Sequence, residues 1–211
     1  MTELRMSLFL IALVAALAGC SALPDKPVRQ TMYDFGPVPA AAAPAATPSG
    51  PALVLPDVEA KGVLETQSMV YRLGYEDPHQ MRPYAYARWS AKPGELFWHR
   101  LRETLAHDRP VLDTSAAAAL ARRGTAAPLA LRVELQEFSQ YFVSATDSRG
   151  IVRVRCTLLE NTGGGQRLVA QRSFGVERPA PTADAPGGVR ALAAASDAVS
   201  QEIGAWLQQQ H

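Results

Sequence analysis

Residues 129–143, LALRVELQEFSQYFV, decide how the chain is read. Leu129, Leu131, Val133 and Leu135 alternate with Arg132, Glu134 and Gln136. Apolar and polar residues in strict alternation describe a strand with one buried and one solvated face. The alternation shifts at Phe138, which predicts a bulge before Tyr141 and Val143. Asp147-Ser148-Arg149-Gly150 carries turn chemistry, and Val152, Val154, Cys156 and Leu158 then alternate with Arg153, Arg155 and Thr157. Asn161–Gly165 (NTGGG) is a second turn, rich in residues that tolerate positive φ. Leu168, Ala170, Phe174 and Val176 are expected on one face of a third strand, closing an antiparallel meander.

Outward from the meander, helices and shorter strands follow. A proline-rich loop at 179–186 leads to a final helix, in which Val189, Leu192, Ser196, Val199, Ile203 and Trp206 recur at steps of three and four. That amphipathic stripe must cover the sheet. On the N-terminal side, Thr114–Arg123 is alanine-rich and helical, with Gly124 as its stop. Pro93 opens another helix carrying Glu95 in its first turn and Phe97, Leu101 and Leu105 along one stripe. Extended segments are predicted at Ala52–Val58, Ser68–Leu73 and Tyr84–Trp89, with a strand entrance at Arg109–Leu112. Residues 52–211 therefore read as a single α/β domain, a mixed and largely antiparallel sheet flanked by helices, of ordinary domain size.

The N-terminus differs in kind. Leu8–Ala18 is an apolar run shorter than the ~20 residues a spanning helix needs. It fits the apolar core of a secretory signal. The run ends in Leu17-Ala18-Gly19-Cys20, which resembles the bacterial lipobox. That resemblance implies a signal peptide at 1–19, cleavage before Cys20 and acylation of its thiol. Several acyl chains hold a protein stably at a membrane where one does not. Ser21 follows the cysteine, and by analogy with Gram-negative sorting the periplasmic face of the outer membrane is favoured over the inner membrane. Residues 20–51 are rich in Ala and Pro and read as a disordered tether. One island, Thr31–Pro37, interrupts it as a short strand or docking segment; docking would shorten the tether to the part just after Cys20.

Composition narrows the function. The chain has 211 residues, and its formal net charge of +1 argues against a nucleic-acid partner, which calls for a basic excess. Only two cysteines occur. With Cys20 acylated, Cys156 has no intrachain partner and is a buried apolar residue, an intermolecular disulfide or a reactive thiol. Gly163–Gly165 lack the following helix of a dinucleotide loop, no GxxxxGK[ST] loop is present, and no GxSxG elbow surrounds a serine. The four histidines have no metal-ligand spacing, so no metal and no cofactor are expected. Tyr84, Tyr86, Arg88 and Trp89 are the candidate partner-binding residues, because aromatics and arginine dominate interface hot spots. The competing reading packs Trp89 and one tyrosine beneath the Phe97 helix. Arg149, Arg153, Arg155, Arg167 and Arg172 are either a surface for anionic lipid or an acidic partner, or a solvated strand face.

The order of lipobox, YDFGP (33–37), VYRL (70–73), YAYARWSAKPGELFWHRLRETL (84–105), meander and a helix ending Ile203–Leu207 resembles the ABC-type transport auxiliary lipoproteins. The resemblance implies a mixed sheet flanked by helices and a periplasmic lipoprotein, not an enzyme. Its implied partners are an ABC permease, an ATPase and an MCE-domain protein in phospholipid or related lipid traffic between the two membranes. The leading expectation is a docking component that raises the local concentration of that machine at the membrane holding the acyl chains of Cys20. A lipid-binding carrier with phospholipid between sheet and helix is one rival, and a lipopolysaccharide-assembly or secretion-pore lipoprotein is another. A homo-oligomer is left open.

Overall fold

In the computed structural model, which describes residues 29–37, 50–122 and 128–210, eight strands join in one mixed sheet. They are β1 (Thr31–Tyr33), β2 (Leu53–Val54), β3 (Ser68–Leu73), β4 (Met81–Trp89), β5 (Val111–Leu112), β6 (Leu129–Phe142), β7 (Ser148–Thr162) and β8 (Gly165–Pro179). Three helices accompany them: α1 (Pro93–Ala106), α2 (Thr114–Ala121) and α3 (Ala185–Gln208). The signal-peptide reading at 1–19, Cys20, most of the tether and the Gly124 stop lie outside the described residues.

Strand β6 organises the sheet. Along one edge it pairs over its full length with β7, antiparallel, and β7 pairs in turn with β8. Its other edge is shared. Leu129 and Ala130 take β2 in parallel, Glu134 takes an isolated bridge from Glu59, and Gln140–Phe142 take β3 in parallel. The chain from residue 53 to 73 thus runs beside β6 and touches it three times. Beyond β3 lie β4, antiparallel, and β1, parallel to β4; beyond β2 lies β5. The expected strand Ala52–Val58 is accordingly only Leu53–Val54, because the chain leaves the ladder between β2 and the Glu59 bridge.

Bulges decide which side chains go inside. The register of β6 against β7 shifts between Leu135 and Glu137. One extra residue reverses the parity of a strand, so Leu131, Val133 and Leu135 share a face with Phe138, Gln140 and Phe142. A second shift, between Leu158 and Leu159, pairs Ala170 with Leu158 and Leu168 with Leu159. Leu168 is therefore exposed and parts company with Ala170, Phe174 and Val176, with which simple alternation had grouped it.

The inner face is covered by α3, which crosses β7 and β8 and packs on α1. Its stripe is buried as its period requires: Leu192, Val199 and Ile203 are shut from solvent, each contributing about 1.5–3 kcal/mol. Two glycines let this helix lie close. A Cβ on Gly150 would stand 2.7 Å from the Leu192 nitrogen, and one on Gly188 would stand 2.0 Å from Gln140 Oε1. The helix starts at an N-cap, Asp184, whose carboxylate accepts from the Gly187 N–H at 2.8 Å and from Thr182 Oγ1 at 2.6 Å. These two bonds, the hydroxyl first, hold its pKa below the ordinary carboxylate value.

Gln140 is wholly buried and its amide is fully used. Oε1 accepts from the Tyr84 hydroxyl of β4 at 2.8 Å. Nε2 donates to Ser148 Oγ of β7 at 2.8 Å and to the Asp184 carbonyl at the mouth of α3 at 3.1 Å. One side chain thus joins three strands and a helix. Gln140→Leu keeps the bulk but strands the Tyr84 and Ser148 hydroxyls, the Asp184 carbonyl keeping the Gly188 N–H, and should destabilise the fold by about 1–3 kcal/mol. Urea unfolding midpoints measure this, and a midpoint equal to that of the parent chain would show the network to be energetically idle.

Candidate functional site

The four residues singled out at 84–89 fall into two groups. Trp89 is 1% exposed, and its ring meets Phe138 at 5.3 Å and Phe35 at 5.9 Å between centroids. Tyr84 is half-buried against Tyr71, at 4.6 Å, with its hydroxyl on Gln140. Burial, then the neighbouring Tyr71, pushes its pKa above that of an ordinary tyrosine. Tyr86 and Arg88 point to solvent. The division has a local cause: the β3–β4 register shifts between Ser68 and Val70, which reverses the parity of β4 between Tyr84 and Trp89. Tyr84, Tyr86 and Arg88 therefore do not share the single face that strict alternation predicts.

The island in the tether is docked on this strand. Thr31–Tyr33 form β1 in parallel register with Ala87–Trp89, and the Ser90 N–H donates to the Tyr33 carbonyl at 2.7 Å. Phe35 enters the core beside Trp89 and Phe138. Arg100 of α1, 7% exposed, donates to the Phe35 carbonyl at 3.0 Å and lies over its ring. Its Nε sits 3.3 Å from an Asp197 carboxylate oxygen on α3. A buried guanidinium without such partners would be costly. The segment thereby completes the coordination of a charge the core already contains.

Docking creates a surface. Met32 pairs with Arg88 in register, and Tyr86 lies two residues away. Met32 is 60% and Tyr86 59% exposed. An adaptable thioether, an aromatic ring and a guanidinium on a sheet margin are the residue types that anchor protein partners. Met32 was not a sequence candidate, because only its pairing with β4 brings it beside Tyr86 and Arg88.

The five arginines of the meander do not form one cationic field. Arg149 pairs with Glu177 at 2.7 Å, Arg153 with Glu137 at 3.4 Å, Arg155 with Glu134 at 3.9 Å, and Arg167 with Glu160. Arg172 stands instead on the helix side, over the Phe174 ring at 5.0 Å. The outer face is thus a neutralised, solvated ladder whose exposed pairs each contribute little.

Other candidate chemistry is sparse. Among the described residues no three His, Cys, Asp or Glu side chains come together as a metal site. His99 lies against the Trp98 ring at 4.9 Å. A groove of about 700 Å³ at the start of α1 mixes Lys61 and Lys92 with Glu59, Glu65 and Glu95. Cys156 is fully buried on β7. Burial alone pushes its thiol up to about 12. No helix among the described residues is long and apolar enough to cross a membrane.

A mixed sheet with one helix-covered face, one charge-paired face and a docked N-terminal strand defines the architectural class. The chain belongs to the family of ABC-type transport auxiliary lipoprotein components, whose model matches residues 33–204. Solved structures repeat the fold. A protein from Xanthomonas campestris superposes with a TM-score of 0.69 at 17% identity, over 85% of this chain and 95% of its own. An uncharacterized protein follows at 0.59 and 14%, over 85% and 99%. A hypothetical protein from Chlamydia trachomatis stands at 0.50 and 9%, over 77% and 98%. Among curated proteins none matches.

Two outcomes follow from this geometry. Cys156 in the native protein should resist alkylation at pH 9.5, where an unfolded thiol is largely ionised, and label only after denaturation. Peptide mass spectrometry reads the difference, and rapid native labelling would refute the burial. Phe35→Ala should free β1, so that chymotrypsin cuts after Tyr33 at least tenfold faster; an unchanged rate would mean that strand pairing alone holds the segment.

Proposed function

We propose that this ABC transport auxiliary lipoprotein is anchored through Cys20 at the periplasmic face of the outer membrane. There it docks an MCE-domain protein and the associated permease and ATPase of a lipid transport system. The observation that carries the reading is the position of the Met32–Tyr86–Arg88 surface. It lies on β1 and β4, the part of the fold into which the post-lipobox island is built. Eleven Cα–Cα steps, spanning the ten residues 21–30, separate Cys20 from Thr31. Fully extended, they reach at most ~40 Å. A partner seated on this surface is therefore held within one short span of the lipid. The work is positional: tethering raises the effective concentration of the transport machine at its target membrane, and no reacting group is needed.

Membrane extracts in mild detergent test the proposal. The full chain should retain MCE-type or permease subunits, and the pair Tyr86→Ala and Arg88→Glu should cut their recovery at least fivefold with the melting temperature unchanged. Cys20→Ala should move the protein out of the membrane fraction. Failure of the unaltered chain to recover any transport subunit would overturn the docking role, and a membrane-bound Cys20→Ala chain would overturn the anchor.

A further inference from the structure

At the end of β6 remote from β3, a second feature is built from different residues. A groove of about 380 Å³ has the nearly sealed Leu53 of β2, Leu158 of β7 and Leu207 of α3 as its floor and the half-buried Leu129 of β6 and Leu120 of α2 as walls. The walls are overwhelmingly apolar, with one charged exception, Arg109, in the loop between α1 and β5. Arg109 is only 4% exposed. Among the described residues its Nε has no hydrogen-bond partner and no carboxylate lies within ion-pair distance of its guanidinium. The neighbouring Asp108 is engaged elsewhere, accepting from Gln208 Nε2 at 3.0 Å.

This arrangement contrasts with Arg100, the other buried arginine, whose carbonyl and carboxylate partners are both in place. A buried guanidinium held in no direct ion pair is a costly group for a fold to carry. Burial draws the Arg109 pKa below the ordinary arginine value, with Asp108 opposing. An apolar trough bordered by a buried planar cation whose Nε is unpaired among the described residues has a complementary ligand chemistry. The alkyl part fills the trough, and a terminal carboxylate accepts the guanidinium N–H groups. The volume lies at the low end of the range for small-molecule sites, which suits one acyl chain and leaves no room for two.

We propose that the groove binds a single-chain lipid carboxylate, with its head on Arg109 and its chain along Ala52, Leu120, Pro128 and Leu129, over a floor of Leu53, Leu158 and Leu207. The site is independent of the docking surface: it is formed by β2, β6, β7, α2, α3 and the loop before β5, and uses neither β1 nor β4.

Native mass spectrometry of the full chain, released from detergent with added palmitate, tests the site. One palmitate should bind per chain, at least tenfold more tightly than hexadecanol, which has the same chain and no charge. Arg109→Gln should erase that preference, and Arg109→Lys should keep part of it. Where Arg109→Gln does not fold, Leu129→Trp decides. It fills the trough from a half-buried position and should weaken palmitate at least tenfold while the melting curve is retained. Equal binding of palmitate and hexadecanol, preference for a two-chain phosphatidylglycerol, or full palmitate binding by a folded Leu129→Trp chain would each overturn the proposal. None of these outcomes bears on recovery of transport subunits.

Discussion

A single buried amide holds the molecule in register. Gln140 reaches β4 through Tyr84, β7 through Ser148 and the first turn of α3 through the Asp184 carbonyl. A buried amide of this kind is unforgiving, because each unmet donor or acceptor costs more than a met one returns. A one-residue slip of β6 would carry it to the outer face and leave all three partners without it. The Leu135/Glu137 bulge is thus a requirement: it places Gln140 on the side where Leu131 and Val133 already point. Gly188 follows from the same constraint, since any side chain there would occupy the space of the Gln140 oxygen.

The consequences reach the sheet margin. With Tyr84 fixed inward by Gln140 and Trp89 fixed inward by Phe35 and Phe138, the four residues between them must contain a reversal of parity. That reversal turns Tyr86 and Arg88 outward. The partner surface is therefore a by-product of two inward anchors on one strand. Its third member arrives with the docked segment, which the core receives because Arg100 needs a carbonyl and the Trp89–Phe138 pair needs a third ring.

Much of this was legible in the sequence. The meander and α3 rest on long periodic patterns, and such patterns survive folding because burial of a whole face enforces them. The strands of two or three residues were harder. β1, β2 and β5 each make parallel pairings with segments distant in the chain, and only β1 is marked locally, by the aromatics of its island at period two. The island at 31–37 showed its aromatics, yet only the structure joins Met32 to Arg88. Gln140 was illegible for another reason: in an alternating strand a glutamine reads as a solvent-facing residue, and only the bulge sends it inward. The arginines of the meander looked like one basic face until the glutamates of β6, β7 and β8 came opposite them.

The shared edge of β6 explains why the two ends of the molecule differ. At the Gln140 end the edge is taken by β3, six residues long and backed by β4 and β1, so the sheet continues and ends in a well-supported margin. At the Leu129 end it is taken by β2 and then β5, two residues each. Strands so short cannot carry enough side chains to close the space beneath α2 and the last turn of α3. Leu53, Leu158 and Leu207 are sealed in the core, but Leu120 and Leu129 beside them stay half-exposed and flank a trough, and Arg109, entering from the loop before β5, meets apolar walls where Arg100 meets a carboxylate. One strand with an unequally divided edge thus produces both a firm surface suited to a protein partner and an open cleft suited to a small amphiphile.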